Sequence, residues 1–286
     1  MGATSRGLKL HRPAAWLAGA ALLAALGAAA IWAQRQGVAA RVRPAAPRVG
    51  APLGPASLFD PAILVEAPAT APGAGAAFSV AGRGVWLTAR HVVEGCPRVV
   101  IVAAPGRGVL ARTVLTPGRE TAVLFTQGGA PPLAIAPAGQ LRRAELAFHP
   151  GFPHGRPGEA ASRLIDRDTL IVHGLLRGRG VRAEPVLAWA ETGRTPGLSG
   201  PLTGISGAPA LDSEGRVVGV TVAEAPRRGR LYTTTPSSLR GALAAAGVRA
   251  APAGAALALT PANYGSAAAG LRASLSVAEV VCLPAR

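Results

Sequence analysis

Val85-Trp-Leu-Thr-Ala-Arg-His-Val-Val-Glu-Gly-Cys96 and, far downstream, Gly204-Ile-Ser-Gly-Ala-Pro209 carry more information than any other part of this chain. The first places His91 directly after a short apolar strand. The second places Ser206 in a tight glycine-flanked turn, followed by the strand candidate Arg216-Val-Val-Gly-Val-Thr-Val222. A serine hydroxyl becomes a nucleophile only beside a base that can take its proton, and an attacked carbonyl needs donors for the charge that develops on its oxygen. A serine in a glycine-rich turn supplies the hydroxyl and exposed backbone N–H groups, and a distant histidine supplies the base.

Around these stretches the sequence reads as many short strands separated by Gly and Pro turns. Candidates are Ala77–Val80, Gly84–Leu87, Arg98–Val102, Val109–Leu115 and Thr121–Phe125, then Glu145–Phe148, Thr169–His173, Pro185–Ala190, Val217–Val222 and Leu231–Thr234. One helix is clear: Thr235-Pro-Ser-Ser-Leu-Arg-Gly-Ala-Leu-Ala-Ala-Ala-Gly247 opens on a capping residue with Pro in its first turn and closes at Gly. The expected fold class is therefore all-β with one helix near its end. The segments Leu259–Tyr264 and Ser274–Cys282 form a tail with no assigned place.

The two motifs, in this order and with strands around them, resemble the trypsin-like serine peptidase superfamily, in its bacterial exported form without a PDZ module. The resemblance covers about residues 70 to 247 and implies a double antiparallel β-barrel, each barrel of the six-stranded type. It implies Ser206 as nucleophile, His91 as general base, and an oxyanion hole on the N–H groups of Gly204 and Ser206. Relatives carry an Asp in a D-x-A-[VL]-L pattern; here the pattern reads Glu120-Thr-Ala-Val-Leu124, 29 residues after His91 and 86 before Ser206. Glu120 is thus the expected third member, with the charge of Asp and one more methylene. Asp166 and Asp168 lie in a different strand context, and His149, His154 and His173 compete poorly with His91. Ala208 stands where a second Gly usually follows, and Ile205 where digestive members place an Asp, which implies a fold competent without zymogen cleavage. Six residues before the serine stands Gly200, so no acidic floor of a primary pocket is expected, and Val220–Ala225 is expected to line one wall.

The chain has 286 residues, a formal charge of +16 and 4% aromatic residues. The charge is almost wholly arginine, scattered along the chain without the aromatic interleaving of a nucleic-acid surface, so no nucleic-acid partner is expected. No Cys-x-x-Cys or Cys/His cluster suggests a metal, and no cofactor is implied. Cys96 and Cys282 either close one long-range disulfide in an oxidising compartment or remain two buried thiols; the bridge is the expectation. Arg6, Lys9 and Arg12 precede the uncharged run from Ala14 to Ala33. Twenty helical residues span about 30 Å, the hydrocarbon thickness of a bilayer, and the basic flank stays cytoplasmic. The reading is a signal anchor over 14–33 after a cytoplasmic segment 1–13; a cleaved signal peptide is the competitor, and both export the rest. Residues 34–70 read as an Ala/Pro-rich linker, 71–250 as the peptidase domain and 251–286 as a tail tied to it by the cysteines. The expected protein is a serine endopeptidase of the bacterial inner membrane, facing the periplasm and cutting polypeptides through an acyl-enzyme. The alternative is a catalytically weak or inactive member that binds extended peptides. No feature specifies an oligomeric state.

Overall fold

The structure, a computed structural model, describes residues 49–67, 73–137, 139, 141–174, 181–252 and 257–285. The basic segment 1–13, the apolar run 14–33 and the linker up to residue 48 lie outside the described residues. Among the described residues no helix is long and apolar enough to cross a membrane. Among the described residues thirteen strands and three α-helices follow one another: β1 (Ala62–Ala67), β2 (Ala74–Ala81), β3 (Val85–Ala89), α1 (Arg90–Val93), β4 (Arg98–Ala104), β5 (Arg107–Leu115), β6 (Thr121–Thr126), β7 (Leu146–Gly151), β8 (Gly158–Gly174), β9 (Arg182–Arg194), β10 (Pro209–Leu211), β11 (Val217–Ala225), β12 (Arg230–Thr233), α2 (Pro236–Ala245), α3 (Tyr264–Ala273) and β13 (Val277–Leu283).

The first barrel is closed, in the order β13-β2-β3-β6-β5-β4. Five of its strands are consecutive in the chain; the sixth comes from the C-terminal tail. Val277 to Val281 pair with Phe78 to Ala74 on one side, and Val280 to Leu283 pair with Ile101 to Arg98 on the other. Without β13, both β2 and β4 would present open edges of unpaired N–H and C=O groups. The buried residues of the tail strand, Val277, Ala278 and Val280, belong to one hydrophobic cluster with Phe78, Leu87, Val99 and Leu124. The tail that the sequence left unassigned is therefore part of the barrel wall that carries the candidate base.

Cys96, just before β4, is bonded to Cys282 in β13. The bridge spans 186 residues, so it removes much chain entropy from the unfolded state, about 5 kcal/mol in the chain-entropy account. Cys282→Ser should lower the unfolding free energy by about 2–5 kcal/mol. Urea unfolding of parent and variant, with and without reductant, checks this: reductant should move the parent's midpoint down and leave the variant's in place.

In the second sheet β8-β7-β10-β11-β12-β9 are neighbours, and the pairing of β8 with β9 closes these six into a ring. Trp189, Leu187, Leu164 and Leu231 pack into one buried cluster of this sheet, and Trp189 Nε1–H donates to Thr233 Oγ1 at 2.9 Å, so its one polar atom is satisfied in the core. The first half of β8 pairs with β7, and the second half pairs in parallel with β1. The end of the expected linker is consequently docked. Besides β1, Pro52 bridges to Arg142, Leu53 N–H donates to Leu141 O at 2.8 Å, and the Leu53 side chain is buried. A domain boundary at residue 71 thus leaves out a strand that the structure places on the second sheet. Helix α2 begins as expected, with Thr235 Oγ1 accepting from Ser238 N–H at 3.2 Å and Pro236 at the first position.

Candidate active site

His91 sits in α1, the single turn that follows β3. Arg90 N–H donates to the Glu120 carbonyl at 2.7 Å, which ties this turn to the start of β6. Glu120 is 1% exposed, and its Oε2 lies 3.7 Å from His91 Nδ1. That distance is beyond a made hydrogen bond, but catalytic hydrogen bonds in ligand-free sites are commonly long and tighten with substrate. The other carboxylate oxygen, Oε1, is held by Arg182 of β9, with Nε at 3.0 Å and Nη2 at 2.9 Å. The Glu120 main-chain N–H donates to Glu184 Oε2 at 2.7 Å. A carboxylate fixed at one oxygen and facing an imidazole with the other is the arrangement that orients a base.

Ser206 comes from the other barrel, in the turn before β10, and its backbone is held against the first barrel: Ala76 N–H donates to Ser206 O at 2.8 Å. Gly75 shows how closely the two halves meet, because a Cβ there would lie 2.8 Å from Val92, the neighbour of His91, and 2.9 Å from Ser206 O. Gly207 N–H donates to Thr221 O and Thr221 N–H donates to Ala208 O, which anchors the turn to β11. No hydrogen bond joins the Ser206 hydroxyl to His91 among the described residues.

The backbone before the serine is shaped for donors. Leu202 O accepts from Ile205 N–H at 2.9 Å, closing a four-residue turn with Gly204 at φ +96° as its third residue; a turn of this kind needs positive φ there. A Cβ on Gly204 would also lie 2.7 Å from Phe152 O. Thr203 O accepts from His154 N–H at 2.6 Å. Since a trans peptide carries its C=O and N–H on opposite sides, anchoring the Thr203 carbonyl on His154 turns the Gly204 N–H the other way. Among the described residues neither Gly204 nor Ser206 N–H donates to another main-chain group. Free donors of this kind are what a developing oxyanion requires.

Several residues that matter here were not singled out from the sequence. Arg182 and Glu184 reach Glu120 from β9, more than sixty positions away, and no local pattern marks them. Glu224 is different, for it lies in the segment expected to line a wall. Its Oε2 accepts from Leu202 N–H at 2.8 Å, so a carboxylate bridges β11 to the loop that carries the serine although Gly200 offers none. Burial pushes the Glu224 carboxyl up, against the Leu202 amide and Arg194, which hold it down. His149 is fully buried, with Nδ1 3.0 Å from Thr221 Oγ1 and Nε2 2.7 Å from Ser162 Oγ. It is a core residue rather than a base. Among the described residues no group of three His, Cys, Asp or Glu side chains gathers as metal ligands do.

Burial pushes the His149 imidazole down to about 3, from 6.5. Its folded state therefore favours the neutral ring, and the stability this carries is whole above pH 6.5 and lost as pH falls toward 3. The loss amounts to about 1.4 kcal/mol per pH unit in that window. His149→Gln, which does not titrate, should show a flatter decline between pH 6.5 and pH 4 in denaturant unfolding, whatever its stability at pH 7.

A family model of the trypsin-like peptidase domain matches residues 75–220. No curated protein matches the chain. Among solved structures, the active form of the Rv3671c protease from M. tuberculosis is 22% identical, over 71% of this chain and 98% of that one, with a TM-score of 0.48. The HtrA-type protease AlgW with a decapeptide is 17% identical, over 59% of this chain and 50% of that one, with a TM-score of 0.46. The MamO protease domain from Magnetospirillum magneticum, apo form, is 19% identical, over 59% and 93%, with a TM-score of 0.44.

Proposed function

The chain belongs to the trypsin-like peptidase domain family, and from that membership we propose that it is a serine endopeptidase using Ser206, His91 and Glu120. The observation that carries the reading is the buried Glu120 carboxylate, with one oxygen in the fork of Arg182 and the other 3.7 Å from His91 Nδ1. Glutamate at the place of the usual aspartate was the weakest part of the sequence pattern, and it supports the reading that its carboxylate nevertheless reaches the imidazole.

In this reading Ser206 Oγ attacks the scissile carbonyl while His91 Nε2 accepts its proton. The N–H groups of Gly204 and Ser206 stabilise the oxyanion; loss of one such donor costs about 3–4 kcal/mol in related chemistry. His91 then protonates the leaving amine, and water repeats the sequence on the acyl-enzyme. Glu120 holds the imidazole with its Nδ1–H toward the carboxylate and stabilises the imidazolium. The substrate is an extended polypeptide lying along β11, where backbone groups can take it up by strand addition. We further infer export, with the uncharged run 14–33 as membrane anchor and the domain in the periplasm. A disulfide between Cys96 and Cys282 suits an oxidising compartment.

The alternative, a peptide-binding protein of this fold without catalysis, is favoured by the open His91–Glu120 distance and the unmade Ser206–His91 hydrogen bond. Fluorophosphonate treatment of the full chain followed by peptide mapping separates the two. A phosphonyl adduct on Ser206 is expected. A folded chain that takes no adduct overturns the peptidase reading and leaves the binding one.

A further inference from the structure

Glu120 is gripped from the second barrel at both ends. Arg182 and Glu184 are two positions apart on β9, and residues so spaced in a strand lie on one face. Arg182 takes the side chain and Glu184 Oε2 takes the main-chain N–H at 2.7 Å. The guanidinium does not serve Glu120 alone. Its Nη2 is 3.3 Å from Glu94 Oε2, and Glu94 Oε1 is 2.8 Å from Arg90 Nη2. Arg90 Nη1–H donates in turn to Thr116 O at 2.9 Å. The Arg182 side chain is 13% exposed, so this network operates away from bulk water, where charges act strongly.

We propose that Arg182 is a positioning residue for the proton relay, a statement that rests on the peptidase reading above. A glutamate has one more rotatable bond than the aspartate found at this place in relatives. The planar fork of Arg182 removes that freedom by taking Oε1 with two nitrogens, which leaves Oε2 for His91 Nδ1. A guanidinium is suited to such a fixed geometry, and an ammonium is not. Arg182 thus acts on the orientation of the pair, without touching the reacting atoms. The charged groups joined to Glu120 by these contacts are Arg182 and Glu184 from β9, Glu94 and Arg90 from the turn of His91, and Arg119 through Glu184. Only Arg182 changes in the test.

The test compares the full-length parent with Arg182→Met and Arg182→Lys. The His91 ring signals are followed by NMR on selectively labelled histidine, together with fluorophosphonate labelling per folded molecule. In both variants the labelling plateau should fall about 10²-fold, the scale of a catalytic group displaced by an ångström, and the His91 Nδ1–H signal should move from its place in the parent. An Arg182→Met chain with lower stability but the parent's His91 signals and plateau would make the residue structural only and overturn the proposal. If Arg182→Met does not fold, Arg182→Lys decides it, and an unchanged plateau there overturns it. A parent that takes no label removes the peptidase reading instead, and the His91 signals, which need no catalysis, still decide whether Arg182 sets the orientation of the pair.

Discussion

Glu120→Gln is expected to react at Ser206 about 10⁴-fold more slowly than the parent, the scale seen when a triad carboxylate is neutralised. The amide offers His91 Nδ1 an oxygen or an N–H but no charge, so the imidazole loses both its enforced tautomer and the anion that stabilises its protonated form. The shape of the site should survive, because the amide oxygen can still accept from Arg182 and the main-chain bonds of residue 120 to Arg90 and Glu184 are untouched. The buried guanidinium loses one of its two carboxylate partners, which should lower stability by about 3 kcal/mol. Rates measured by fluorophosphonate labelling and stabilities measured in urea separate the two effects. A Glu120→Gln chain that is folded and labels within tenfold of the parent would remove Glu120 from the catalytic group. Its role would then be confined to joining the barrels.

Gly207→Ala is expected to lose about 2–5 kcal/mol, combining the strain of a side chain in left-handed backbone with overpacking against a fixed neighbour. Gly207 has φ +88°, and a Cβ there would stand 1.9 Å from Ala76 O and 2.4 Å from Thr88 Oγ1. Neither atom can yield easily. Thr88 Oγ1–H donates to Ala76 O at 2.6 Å, and Ala76 N–H donates to Ser206 O, so pushing them apart moves Ser206 itself. Labelling of whatever folded fraction remains should therefore fall as well. Gly197→Ala is the control, because Gly197 has φ +81° with nothing near its missing Cβ. It should show the backbone strain alone, about 1–2 kcal/mol, and normal labelling. If the two variants lose equal stability in urea and label alike, the tight seat of the serine turn is not what holds Ser206.

Much of this was legible in the linear chain, and the reason is local. A strand ending at Ala89, a histidine two residues later and a serine between glycines are each features of a few adjacent residues. So is α2, whose cap, proline and final glycine are contiguous. The sequence also offered Glu120 by its place in Glu120-Thr-Ala-Val-Leu124, although nothing in that stretch says where its carboxylate points. Strand lengths were less readable. Thr169–His173 was marked by its short apolar, β-branched run, but β8 begins at Gly158, where Gly-Glu-Ala-Ala-Ser-Arg has no β-branched or aromatic residue to betray it. Its strand state is imposed by β7 and β9 on either side.

By itself, then, the amino-acid sequence determined the fold class and the candidates Ser206 and His91 with the glycine-rich turn around the serine, because these depend on residue type at short spacing. It narrowed Cys96 and Cys282 to two readings. Only the tertiary structure decided that the last strand of the chain completes the first barrel, since β13 pairs with strands some two hundred residues earlier and its own pattern does not name them. Only the structure, likewise, decided that Glu120 faces His91, because that orientation is set by Arg182 and Glu184 on a strand of the other barrel. Side chains brought together by two closed sheets have no fixed spacing in sequence, and the electrostatics of this site arises from such an encounter.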